Sequence, residues 1–209
     1  MTIIDLSHVS STGMAVYPGD ETMPVIRRLT EHGPTGHQSS AFEMGCHAGT
    51  HIDLPLHFRA GEASLEEFPL ARCCGPAVVI DAAEGRIGPE VLDGVDLEHV
   101  EFVIFRTGWE SRWTTPEYYA SWPWLAVETA QRLADAGLKG VGIDSPSIDN
   151  AVDQSAHVVL AAAGLLNVEN MANLNALPAR PFTLLVLPLK LEGAEASPVR
   201  AAALVEGDD

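Results

Sequence analysis

From position 46 to 57 the chain reads Cys46-His47-Ala48-Gly49-Thr50-His51-Ile52-Asp53-Leu54-Pro55-Leu56-His57, which packs three histidines and one aspartate into the eleven positions 47–57. Gly49 and Pro55 argue against a continuous helix there. In an extended chain alternate side chains share a face, and His47, His51, Asp53 and His57 are all odd-numbered, so they project together. Imidazole and carboxylate are the donors expected for zinc, manganese and similar divalent ions, and several donors from one short segment lower the entropy of assembling a site. The competing reading is a set of hydrogen-bonded histidines near a turn; four chelating groups on one face favour the metal. Cys46 would point to the opposite face, as a small buried hydrophobe rather than a thiol nucleophile.

One extended segment cannot surround an ion, so further donors are needed from burial-prone surroundings. His157 lies in an Ala-rich helical stretch, and Glu169 follows Leu165, Leu166 and Val168; buried without a partner, either group would be costly. Spacing alone leaves both readings open. Twelve residues separate the two, no standard local motif joins them, and a satisfied core histidine with a capping or surface glutamate fits equally well. His32, His37 and His99 read as surface residues, while His8 stays unassigned. Asp144 and Asp149 bracket a turn in Gly142-Ile143-Asp144-Ser145-Pro146-Ser147-Ile148-Asp149, where capping is the expected role. No Gly-x-Ser-x-Gly elbow is present, and Ser7-His8 or Ser155-Ala156-His157 is too local to make a triad.

These side chains need a scaffold, and 209 residues with 46% apolar content suit one domain spanning 1–209 with a proper core. Strands are expected at Thr2–Leu6, Ala77–Ile80, Phe102–Arg106, Gly140–Ile143, Leu165–Glu169 and Phe182–Leu187. A helix-like stretch opens at Pro116-Glu117 and continues over Val127–Ala136 until Gly137; a second helix covers Gln154–Ala163, closed by Gly164. Pro18-Gly19 marks a turn, and Glu206–Asp209 should fray. Strands with intervening helices give an α/β or α+β layered domain of undetermined sheet order.

Twelve Lys and Arg against 29 Asp and Glu give a formal charge of −17, which repels nucleic acid and anionic lipid. Three cysteines, two of them adjacent, suit a reducing compartment better than a disulfide framework. The first fifteen residues lack a basic start and a continuous apolar stretch, so the expectation is a cytoplasmic, soluble protein with a small-molecule substrate.

The segment His47-Ala-Gly-Thr-His51-Ile-Asp53-Leu-Pro-Leu-His57 resembles the cyclase family of metal-dependent hydrolases, which includes bacterial kynurenine formamidases and isatin hydrolase. The likeness extends through Asp5-Leu6-Ser7-His8, Val16-Tyr17-Pro18-Gly19-Asp20, Arg106-Thr107-Gly108-Trp109, Gly142–Ser147, Leu189-Lys190-Leu191-Glu192-Gly193 and Ser197-Pro198-Val199-Arg200. The resemblance implies an α/β chain with a swivelling β/β/α fold, a homodimer or homotetramer, and a site for one or two zinc or manganese ions. By that likeness His47, His51, Asp53, His157 and Glu169 are metal ligands and His57 is the catalytic acid/base. Carboxylates at Asp53 and Glu169 each offer two oxygens, as bridging two cations requires. Kynurenine formamidases typically carry a substrate-stacking Trp in the aromatic-Pro-Gly-Asp segment; here it is Tyr17, which can still stack.

The reaction implied is hydrolysis of a small carbon–nitrogen amide, foremost an aryl formamide, with His57 carrying the proton between water and the leaving amine. The alternative within enzymes is opening of a cyclic amide such as isatin, or of another lactam or ester. A metal-dependent binding protein without catalysis is the third reading, and the intact His57 argues against it.

Overall fold

The computed structural model describes residues 1–20, 22–34 and 36–207. Its first half holds β1 (Thr2–Asp5), β2 (Val25–Thr30), β3 (Ser39–Glu43), β4 (His51–Asp53), β5 (Cys74–Asp81), β6 (Arg86–Ile87) and β7 (Phe102–Arg106). The second half adds β8 (Trp124–Leu125), α1 (Val127–Asp135), β9 (Gly140–Ile143), α2 (Ser155–Ala162), β10 (Leu166–Glu169), β11 (Phe182–Leu185), β12 (Ala196–Pro198) and β13 (Ala202–Val205). Nine strands form one sheet in the order β1-β13-β11-β5-β7-β9-β10-β4-β12, curled into a half-barrel. The four central strands β5, β7, β9 and β10 run parallel, with antiparallel pairs added on either side.

Parallel strands covered on both faces need continuous apolar runs, and Phe102 to Phe105 of β7 are all fully buried. Val103, Phe105, Val141 and Ile143 face Ala130 and Leu133 of α1 and Ala156 and Leu160 of α2. Phe102 and Ile104 face the hollow of the half-barrel with Ile52, Leu166, Val168, Met171 and Leu184. Strand β9 tolerates two glycines because there is no room for a side chain on that side. A Cβ on Gly140 would stand 2.7 Å from the Leu166 carbonyl oxygen, and one on Gly142 2.6 Å from Met171 Sδ. Each burst of apolar sequence therefore becomes a strand whose alternate residues serve different cores.

The α/β class and most expected strands hold, with differences that have local causes. Strand β11 stops at Leu185 rather than Leu187, although the Val186 N–H carries the same register one bond further, to the Cys73 carbonyl. The helix-like stretch from Pro116 is a single 3-10 turn over Pro116–Tyr119, separated from α1 by β8. Gly137 and Gly164, both left-handed, close α1 and α2 as expected. The β2–β3 hairpin is an addition that the sequence reading passed over, since its alternation is masked by Arg27, Arg28 and Ser40. Glu206 and Gly207 are exposed and irregular, and Asp208 and Asp209 lie outside the described residues. Among the described residues no helix is long and apolar enough to cross a membrane.

Candidate metal centre

The expectation of one extended strand through 47–57 is corrected: only His51–Asp53 is a strand. His47 lies in a turn before it, where Gly49 adopts φ +72°, a conformation unfavourable to a side chain. Pro55, preorganised for a helical start, opens a single 3-10 turn over Pro55–His57, and the His57 N–H bonds the Leu54 carbonyl. These two reversals fold the segment into a hook. The rings of His47 and His57 come within 4.3 Å, centroid to centroid, on the side to which β4 points His51 and Asp53. The four groups do converge, through turns rather than through an eleven-residue alternation.

Strand pairing supplies the distant donors. In the β10–β4 ladder Glu169 lies directly opposite His51, and on the other side of β4 the residue Ala196 lies opposite Asp53, which brings Glu195 beside His47. His51 Nε2 is 3.4 Å from Asp53 Oδ1 and 3.5 Å from Glu169 Oε2. His157, from α2, places Nε2 3.3 Å from Glu169 Oε1 and 3.8 Å from Asp53 Oδ2. His47 Nδ1 is 2.8 Å from Asp53 Oδ1. The other four residues expected as ligands thus gather around the buried carboxylate of Asp53.

The donor set fits a divalent cation. Asp53 is buried, yet among the described residues neither of its oxygens has a hydrogen-bond partner; even the 2.8 Å approach of His47 lacks hydrogen-bond angles. His51 Nε2 is likewise buried and unpartnered. Orphaned buried carboxylate oxygens are costly, and a cation at their common focus removes that cost. Two trios of donor atoms lie within 4.8 Å of one another, His51–Asp53–Glu169 and His47–Asp53–His57, and Asp53 belongs to both. A carboxylate shared by both trios, with two oxygens to offer, can serve one ion or two.

Hydrogen bonds fix the far side of three imidazoles. His51 Nδ1 donates to the Gly49 carbonyl at 2.9 Å, which also accepts Asn170 Nδ2. His157 Nδ1 lies 2.8 Å from Asp149 Oδ2, and His47 Nε2 lies 3.1 Å from Glu195 Oε1. Asn170, at φ +54°, is held by Tyr118 Oη and accepts Thr50 Oγ1 on its carbonyl. Among the described residues His57 has no hydrogen bond on either ring nitrogen; its ring packs against His47 and Phe58.

Electrostatics follow the geometry. Burial disfavours the charged form of Asp53, but His51, His157 and His47 outweigh it and hold the carboxyl well below its usual range. Burial likewise opposes Glu169, and His157 and His51 bring it down to about 2. Burial disfavours protonated His47, yet Asp53 and Glu195 raise it to about 9; His157 is raised well above its ordinary value, against burial, by Asp149, Asp53 and Glu169. His57 goes the other way: burial, the largest influence, lowers it, which keeps a neutral imidazole at neutral pH.

The centre floors a cavity of about 210 Å³ whose walls include Tyr17, Phe58, Tyr119 and Gln154. Tyr17 meets Tyr119 and Trp122 edge-on, with centroids 6.4 and 5.7 Å away, so the expected substrate contact does line the site. Asp149, Glu195 and Asn170 were not anticipated as functional. Asp149 does cap, accepting the N–H groups of Ala156 and His157, but it also holds the His157 ring. Asp144 caps a turn other than its own, accepting from Thr107 and Gly108. Cys46 is half-buried rather than buried, and His8 stacks on Trp113 away from the centre.

Comparison with known proteins gives a consistent picture. A family model described as "Putative cyclase" matches residues 4–150. Kynurenine formamidase of Salinibacter ruber is 35% identical over 96% of both chains. Among solved structures, isatin hydrolase A of Labrenzia aggregata overlays with a TM-score of 0.87 at 25% identity, covering 98% of this chain and 93% of that one. A "predicted metal-dependent hydrolase" from Bacillus stearothermophilus overlays at 0.82 with 30% identity over 97% of each chain.

Proposed function

Because the chain belongs to the cyclase family, we propose that it is a metal-dependent hydrolase of small carbon–nitrogen amides, with an aryl formamide of the N-formylkynurenine type as foremost substrate. One observation carries the reading. A buried carboxylate with no hydrogen-bond partner, ringed by His47, His51, His157 and Glu169, shares a cavity with His57, whose ring nitrogens are unengaged.

A divalent cation held by His47, His51, Asp53, His157 and Glu169, zinc or manganese and one or two per chain, supplies Lewis acidity that acidifies water and polarises an amide carbonyl. His57 performs the proton transfers. Its neutral imidazole takes a proton from the attacking water and delivers it to the amide nitrogen as the carbon–nitrogen bond breaks, releasing formate and the amine. Tyr17, Phe58 and Tyr119 give an aryl group flat apolar surfaces to rest on. The enzyme acts in the cytoplasm as a homodimer or homotetramer on this reading.

A second reading, opening of a cyclic amide, is favoured by the close overlay with isatin hydrolase A. It uses the same groups, with both products of cleavage remaining in one molecule. Hydrolysis of N-formylkynurenine and of isatin is measured after chelation and after zinc or manganese is restored. Metal-restored formamide hydrolysis is the expected result; metal uptake with turnover of isatin alone replaces the first reading by the second. Metal uptake with neither activity overturns both.

A further inference from the structure

Three imidazoles around Asp53 present one nitrogen to the centre and have the other held by an oxygen of this chain, but the three holders differ. For His51 it is the Gly49 carbonyl; for His157 it is the carboxylate of Asp149, eight residues earlier in the chain, and for His47 that of Glu195, 148 residues away. Asp149 Oδ2 accepts both the backbone N–H and Nδ1 of His157, at 2.9 and 2.8 Å, while Oδ1 accepts the Ala156 N–H at 3.0 Å. Both oxygens are committed to N–H donors. Glu195 differs, because Oε1 alone reaches His47 Nε2, at 3.1 Å, on a half-exposed side chain.

We propose that Asp149 and Glu195 are positioning residues of the metal centre: each fixes the tautomer and aim of one ligand ring, His157 with Nε2 facing the centre and His47 with Nδ1 facing it. The proposal rests on the metal-centre reading above. A carboxylate can only accept, so its ring partner must carry the proton on the side facing it, which leaves the lone pair of the other nitrogen on the centre. With a cation bound and each ring neutral, the two rings are therefore held in opposite tautomers, a pattern that the sequence Cys46–His57 does not encode.

The two carboxylates respond differently to the same change. In Asp149→Asn the amide has one oxygen for three N–H donors on two sides, so either orientation sets its NH₂ against a donor; turned toward His157, it drives the ring proton to Nε2. In Glu195→Gln the amide oxygen can still accept from His47 Nε2, and only Glu195→Ala removes the acceptor. A residue that merely supports the fold gives no such Asn-against-Gln asymmetry.

The test is zinc affinity of the metal-free full chain, measured by competition with a chelator, together with the visible spectrum of the cobalt-loaded proteins. Asp149→Asn is expected to bind zinc about 10- to 100-fold more weakly and to shift the cobalt bands; Glu195→Gln stays near wild type, and Glu195→Ala loses affinity. Thermal unfolding of the metal-free proteins is followed alongside. Wild-type affinity and spectrum in both Asp149→Asn and Glu195→Ala overturn the proposal, as does a loss in Asp149→Asn that follows only from unfolding. Should that variant not fold, ¹⁵N imidazole shifts of the zinc-loaded wild type decide. A proton on His157 Nδ1 and on His47 Nε2 is required, and the reverse in either ring overturns it. A wild type that takes up no zinc or manganese overturns the metal reading itself, and this one with it.

Discussion

Glu169 stands directly across the β10–β4 ladder from His51, with the carboxylate 3.5 Å from the ring. The pairing converts 118 residues of sequence separation into a local contact, and register makes it all or none, since a one-residue slip turns every side chain to the other face. His51→Ala removes the only described ligand ring whose second nitrogen is held by backbone, so metal content measured by elemental analysis should fall to less than half of wild type. Metal content equal to wild type would sink the ligand assignment.

His57 is separated from the other imidazoles by what it lacks. It lies 4.3 Å from the ring of His47 and within the same donor distance of Asp53, yet no acceptor of the described protein engages it. His57→Ala should therefore retain metal while losing turnover by about 10²- to 10⁴-fold, the usual contribution of a proton-transfer group. Steady-state kinetics beside metal analysis separates the roles: loss of metal along with activity would make His57 a ligand instead.

The cluster of histidines was legible because chemistry concentrates there, and the face-sharing of His51 and Asp53 follows from strand geometry. The rest of the convergence was not. Gly49 and Pro55, read as breakers, are the reversals that bring His47 and His57 round, and their direction depends on the β4 pairings. Likewise the apolar bursts at Phe102–Arg106 and Gly140–Ile143 declared themselves as strands, whereas the sheet order that sets β10 and β12 on either side of β4 is a long-range property without local signal. Glu195 meets the His47 ring through that order alone, whereas Asp149 meets the His157 ring through the local cap of α2, of which only the capping was legible.

Protons occupy the centre when the cation is absent. Burial opposes charge on His47, but Asp53 and Glu195 raise it to about 9, and Asp149, Asp53 and Glu169 raise His157 well above its ordinary value, so both rings should be protonated at neutral pH in the metal-free protein. Cation binding requires neutral imidazoles. Zinc uptake at pH 7 should release about one to two protons per chain, and affinity should keep rising with pH until about 9, where His47 deprotonates unaided. Indicator titration in weak buffer, with affinities at several pH values, checks this; a pH-independent affinity between 7 and 9 contradicts it.

His8 carries the opposite shift and lies away from the centre, so its effect falls on stability. Its ring stacks on Trp113 at 4.1 Å with Nε2 buried and unpartnered, and burial depresses its pKa to about 4. The unfolded chain protonates this ring near its ordinary value of 6.5, whereas the folded chain resists down to about 4. Stability from the neutral ring is thus fully present above pH 6.5 and is lost as pH falls through about 4. At pH 5 the loss is about 1 kcal/mol once the ring's partial exposure is discounted. His8→Phe keeps the stack and removes the titration. Urea unfolding at pH 7 and pH 5 should show a smaller drop in the variant than in wild type, because the carboxylates common to both cancel in the comparison; equal drops would show that the folded protein accommodates the charged ring.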